Sequence, residues 1–164
     1  HCDHVRHFVG WYNAHPNWHN YQFNLDAQSV AIIGIGNVAI DAARILAKNT
    51  ADLTHTDIPS SCLNTLSNHH MSTIHILARR GPAQSACTYQ ELKELIELPN
   101  SQVIVKKDDL RLSPSCLEEI ADSSRSQQQK NVKILQSLID QPIDPKKKHI
   151  FLHFYIEILH LDIH

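Results

Sequence analysis

The stretch Ser29-Val-Ala-Ile-Ile-Gly34-Ile-Gly36-Asn-Val-Ala39-Ile-Asp41-Ala-Ala-Arg44 limits what this chain can fold into more than any other. A short apolar run ends in two glycines, and a helical pattern follows at once. That is the sequence form of a strand, a tight turn and a helix N-terminus, the opening of a dinucleotide-binding unit. Gly34 permits the turn, Gly36 lets the backbone approach a pyrophosphate without a Cβ in the way, and Ala39 is the small third position. The amides near Asn37 and Val38 would point at the phosphates, where the helix dipole favours an anion. Taken alone, G-x-G-x-x-A is a weak signal that also fits a small-residue turn in any α/β protein.

The end of the second strand adds information. The run Thr73 to Ala78 reads as that strand and leads into Arg79-Arg80. A protein that reads a free ribose diol places Asp or Glu here, whereas guanidinium groups suit a 2′-phosphate. The pattern therefore predicts NADP(H) in preference to NAD(H), and disfavours FAD at this site. The arginines lie further from Gly36 than the usual ~20 residues, and an insertion from Asn49 to His70 accounts for the excess. Glu91 has two readings on the residues alone: position N3 of a capping box Thr88-Tyr-Gln-Glu91, or a ligand contact from a helix that begins just after the arginines.

Around these motifs the spacing predicts strand Ser29–Ile33, continuously apolar as strands covered on both faces are, and a helix over Asn37 to Lys48 with Asp41 and Arg44 spaced as an i,i+3 pair. A short helix follows over Ser60 to Leu66. The capping box opens another helix carrying Leu92, Leu95 and Ile96. Strand Gln102–Val105 comes next, then a helix through Val132, Leu135, Leu138 and Ile139, and a strand over His149 to Leu159. Residues 1–28 read as an irregular aromatic lead-in, Lys106 to Glu119 fit no single pattern, and Ser123 to Lys130 reads as a mobile polar loop. Strands alternating with helices give an α/β class: a Rossmann-like parallel sheet with helices on both faces.

Composition closes off other classes. The chain has 164 residues, 42% hydrophobic and 20% charged, with a net charge of −2, so no global attraction to nucleic acid or membrane is implied. Four scattered cysteines without a C-x-x-C pair read as reduced thiols rather than a disulfide framework. Cys2, His4 and His7 lack a second ligand locus, so no metal site is expected despite 13 histidines. The chain begins at His1 and reads as a piece of something longer.

Three segments together resemble the NADPH domain of the adrenodoxin reductases and the similar bacterial ferredoxin–NADP reductases: Arg6-His-Phe-Val-Gly-Trp-Tyr-Asn13, Gly34 to Leu46, and Arg79 to Leu95. The resemblance implies a mitochondrial, matrix-side flavoprotein in which NADPH reduces FAD and FAD reduces a small iron–sulfur ferredoxin. It assigns Ile35, Gly36, Asn37 and Val38 to the loop under the pyrophosphate, Arg79 and Arg80 to the 2′-phosphate, and Glu91 to a further NADP contact. It sets Glu94 towards the flavin–nicotinamide junction and Lys93 and Lys133 on the ferredoxin-docking face, and it is compatible with peripheral inner-membrane association. Ile35 departs from the family's usual Gln. The chain holds no second glycine fingerprint, so no FAD site is expected in it. Residues 1–28 are then a lead-in from an absent FAD domain, 29–159 the NADP(H)-binding domain, and 160–164 a tail. The alternative is a non-catalytic NADP-binding module. A free-standing dehydrogenase is disfavoured because no Tyr-x-x-x-Lys motif is present, and no catalytic residue is nominated.

Overall fold

A computed structural model describes residues 2–160, so the assigned tail lies outside the described residues apart from His160. Four parallel strands, β1 (Ser29–Ile33), β2 (Thr73–Leu77), β3 (Ser101–Val105) and β4 (Lys148–His153), form one sheet in the order β1-β2-β4-β3. The register aligns Val30, Ile74, Ile150 and Val103 in one row, and Ile32, Ile76, Leu152 and Val105 in the next. Because side chains alternate along a strand, all eight point to one face. They join the main core there, and Ile74, Ile76, Ile150 and Leu152 are almost completely buried. Burying each such side chain contributes about 1.5–3 kcal/mol.

The described residues form seven α-helices that accompany this sheet: α1 (Val5–Tyr12), α2 (Asn37–Ala47), α3 (Thr50–Leu53), α4 (Ser60–Ser67), α5 (Tyr89–Ile96), α6 (Pro114–Ala121) and α7 (Ser126–Gln136). The main core takes its helical residues from α1, α2, α3, α4, α5 and α7 and its strand residues from that one face. α2 contributes Ala39, Ile40, Ala42, Ala43, Ile45, Leu46 and Ala47. Its four buried alanines let the helix backbone sit close to the strands. The α/β class and the parallel sheet with helices are as the sequence implies. The opposite face carries Ala31, Ile33, His75, Leu77, Ile104, Phe151 and His153, and none of these belongs to the core. β1 is an edge strand with Ile33 54% exposed, so its unbroken apolar run does not mean two-sided burial within this chain. The rings of His75, Phe151 and His153 stack on the open face, and His75 Nδ1 lies 3.0 Å from His153 Nε2.

Three local expectations are corrected. The lead-in contains α1, which packs on α2, buries Phe8, Trp11 and Tyr12, and is capped by the His4 ring accepting from the Arg6 N–H. The tract Ser123 to Lys130 is not a loop: a 3-10 turn at Ser123–Arg125 runs into α7. Its polar side chains are used locally, with Asp122 accepting from the Ser124 N–H, Gln129 donating to the Ile120 carbonyl and Gln127 to that of Cys87. β4 ends at His153, six residues before the expected Leu159, because Tyr155 adopts a positive φ of 60°. The unassigned stretch after β3 holds a 3-10 turn at Lys107–Leu110 and α6, which has Ser113 at its N-cap and Pro114 at its first position.

Just before β2, the His69 Nδ1 accepts a 3.1 Å bond from the Met71 N–H. Burial, followed by the charges of Lys148 and His70, pushes the His69 imidazole down to about 4. The folded ring therefore stays neutral where the unfolded ring is already protonated. Stability rises with pH through the window from about 4 to 6.5 and is lost as pH falls through it. We expect His69→Gln, which keeps an acceptor but cannot titrate, to flatten the fall in melting temperature between pH 6.5 and 4, as measured by circular dichroism.

Candidate functional site

At the C-terminal end of β1 the chain turns at Gly34, whose φ of 108° is costly for any residue with a Cβ. The Gly34 N–H donates to the Leu77 carbonyl at 2.8 Å, continuing the β1–β2 ladder into the turn. The register Ile33↔Leu77 then brings Gly34–Gly36 and Arg79–Arg80 to the same end of neighbouring strands. Gly36 differs from Gly34. Its φ of −98° and ψ of 175° suit any residue, and a Cβ built there meets nothing within 4 Å. No packing among the described residues requires glycine at this position, which stands at the N-terminus of α2. No side chain caps that helix end. Val38, in its first turn, is 49% exposed.

The turn is strapped from the α5 side. The Cys87 N–H donates to the Ile35 carbonyl at 3.1 Å, and the Thr88 N–H donates to Asn37 Oδ1 at 2.8 Å. Ile35 thus contributes its backbone, while its side chain packs against the core. Asn131, fully buried in α7, donates to the Cys87 carbonyl at 3.0 Å and supports the strap from behind. Burial pushes the Cys87 thiol up to about 11, so it is an inert apolar filler here. Asn131 could be found in the sequence only as the one residue in the Val132-Leu135-Leu138 helix whose burial demands a partner.

Only half of the capping box forms. Thr88 Oγ1 accepts from the Glu91 N–H at 3.2 Å, but the Thr88 N–H is taken by Asn37, so the Glu91 carboxylate is free of the box. It lies 3.7 Å from Arg44. Arg44 also pairs with Asp41 at 2.5 Å and with Glu94, and Asp41 accepts from the Tyr12 hydroxyl. Burial disfavours the Arg44 charge, but the bond to Asp41 and the charges of Asp41, Glu91 and Glu94 outweigh it and raise its pKa. One guanidinium therefore joins α1, α2 and α5 beside the glycine turn.

Arg79 and Arg80 are both exposed, and among the described residues neither forms an ion pair. Arg80 lines an open cavity of about 300 Å³ with Gln84, Ser85, Glu119, Arg125 and Gln128. Arg125 was hidden in the polar tract read as a loop. Lys93, on α5, pairs with Glu97 at 3.6 Å, and Lys133 is exposed on α7, which packs against α5. Among the described residues no group of three or more His, Cys, Asp or Glu side chains could hold a metal ion, and no helix is long and apolar enough to cross a membrane. Replacing Arg44 by Met leaves three carboxylates without their shared cation. We expect a loss of about 1–3 kcal/mol, read as a lower denaturation midpoint at unchanged m-value.

No family model matches the chain. It is 39% identical over 120 residues to the mitochondrial NADPH:adrenodoxin oxidoreductase of Arabidopsis thaliana, covering 73% of this chain and 25% of that protein. It is 36% identical over 151 residues to the NADPH-ferredoxin reductase FprA of Mycobacterium leprae, covering 90% of this chain and 32% of that one. Among solved structures, Mycobacterium tuberculosis FprA in complex with NADPH superimposes with a TM-score of 0.79 at 33% identity, over 92% of this chain and 32% of its own. The chain thus spans a quarter to a third of the length of these relatives. Over that portion it is a homologue of the NADPH:adrenodoxin oxidoreductases and the FprA-type NADPH-ferredoxin reductases.

Proposed function

We propose that this chain is the NADP(H)-binding part of an NADPH:ferredoxin oxidoreductase of the adrenodoxin-reductase kind. The observation that carries this reading is the pairing at one sheet edge of an uncapped helix N-terminus, opened by a Gly36 with no packing reason to be glycine, with two unpaired arginines on the adjacent strand end. The pyrophosphate lies against the Gly34-Ile35-Gly36-Asn37-Val38 backbone, and the adenosine 2′-phosphate lies between Arg79 and Arg80. Glu91, released from its cap, is a further contact to the cofactor. Bound NADPH supplies the hydride, and the residues of this chain hold and orient it rather than act as acid or base.

FAD is not served by these residues, since the chain has a single glycine fingerprint. We place the flavin in parts of the full-length protein other than 29–159, with 1–28 leading in from them. Electrons then pass to a ferredoxin-type partner. Lys93 and Lys133, on two packed helices, are offered as its docking cations, and they suit an acidic protein surface. We also propose a mitochondrial location, on the matrix side and in peripheral contact with the inner membrane; the mitochondrial adrenodoxin oxidoreductase relatives support a mitochondrial location, while the FprA relatives are bacterial. Import of the tagged full-length protein into isolated mitochondria tests the location.

Calorimetric titration tests the site. The protein should bind NADPH more tightly than NADH. Changing Arg79 and Arg80 together to Ala should weaken NADPH by about 100-fold, each charged hydrogen bond to phosphate contributing roughly 1.5–3 kcal/mol, and leave NADH unchanged. Equal affinity of the parent protein for the two would overturn the arginine assignment. Gly36→Ala should abolish binding of both while costing under about 1 kcal/mol of stability.

A further inference from the structure

The two arginines are exposed and unpaired, so their position depends on their backbone, and that backbone is held from the far end of the chain. β2 ends at Leu77, and the next residue, Ala78, donates to the His153 carbonyl at 2.8 Å. Beyond β4 the chain comes back across the arginine turn. The Ile156 N–H donates to the Ala78 carbonyl at 3.0 Å and the Tyr155 N–H to the Arg80 carbonyl at 3.4 Å. Residues on both sides of Arg79 are therefore bonded to one short segment, 153–156.

Tyr155 closes this strap. Its φ of 60° is an unfavourable conformation for a tyrosine and turns the chain out of the strand. Its hydroxyl donates to the Arg111 carbonyl at 2.6 Å and lies 3.3 Å from the Cys116 sulfur. The ring end sits directly over Gly81, where a Cβ would overlap both the Tyr155 hydroxyl and the Cys116 sulfur. Gly81 has an ordinary φ of −76°, so glycine is needed there for space and not for backbone freedom. Cys116 is completely buried and also touches Gln84 Oε1 at 3.2 Å, on the 3-10 turn (Pro82–Gln84) that follows the arginines.

We infer that Tyr155, seated on Gly81 and bonded to Arg111, is the positioning residue that fixes the Arg79-Arg80 turn and thereby sets discrimination for a 2′-phosphorylated dinucleotide. It touches no cofactor itself. The inference rests on the assignment of Arg79 and Arg80 to the 2′-phosphate.

The test is calorimetric titration of the protein with NADP⁺ and with NAD⁺, comparing Tyr155→Phe and Gly81→Ala with the parent. Tyr155→Phe removes the hydroxyl tether alone, and Gly81→Ala displaces the turn from beneath it. Each should weaken NADP⁺ by about 10-fold, roughly the contribution of one charged hydrogen bond, and leave NAD⁺ unchanged. Unchanged NADP⁺ affinity in Tyr155→Phe overturns the inference, as does a parallel loss for both dinucleotides, which marks a merely structural residue. If Gly81→Ala does not fold, the milder Tyr155→Phe decides alone. The Arg79→Ala/Arg80→Ala protein in the same assay separates the two levels. If it keeps its NADP⁺ preference, the site assignment fails. If it loses that preference while Tyr155→Phe keeps it, only the positioning role fails.

Discussion

The bond from the Gly34 N–H to the Leu77 carbonyl joins the two halves of the site. It extends strand pairing one residue past β1, into a turn that only a glycine makes without strain. From that point α2 can start only in one direction, with its N-terminus beside the end of β2. The straps from Cys87 and Thr88 then fix how far the turn stands from α5. Without the ladder bond, the register of β1 on β2 would still bring the glycine turn and the arginines to one end of the sheet, but the turn itself would lose its direct tie to β2.

Support for the site comes largely from polar contacts packed behind and beside the glycine turn. Asn131 holds Cys87, Cys87 holds Ile35, and the Arg44 guanidinium gathers Asp41, Glu91 and Glu94 from two helices while Tyr12 ties in a third. Each of these is a polar group in a half-buried or buried place, where an unmatched partner costs more than a matched one contributes. Such networks favour one geometry over its near neighbours, as the proposed dinucleotide ligand, with its two separated anionic groups, would require.

What the sequence revealed and what it hid divide along a physical line. The glycine turn, α2, β2 and its arginines, and the Thr88 cap of α5 were legible because each is set by local chemistry within a few residues. The parallel sheet followed from their alternation. The unequal burial of the two faces was not legible, because a continuous apolar strand such as Val30–Ile33 records what the strand can pack against and not how deeply each side is covered. The helix start at Ser126 was missed because its polar residues are satisfied by backbone carbonyls at Ile120 and Cys87, and such partners appear only after folding. Asn131 was missed for the same reason, and Arg125 because it lies within that tract. Tyr155 looked like one more aromatic residue in a strand, and nothing local marks a tyrosine for a positive φ.

The open face of the sheet has a consequence for alignment. In β2 and β4 the two sets of alternate residues differ sharply: Ile74, Ile76, Ile150 and Leu152 on one side, His75, Phe151 and His153 on the other. A slip of a single residue between these strands would push imidazole rings into the core and turn isoleucines to water. A sheet buried equally on both sides would resist that slip less, since either set could then face either way. Here the imbalance acts as a vernier: it admits one setting of β2 against its neighbours, and so one height for the arginines above the glycine turn.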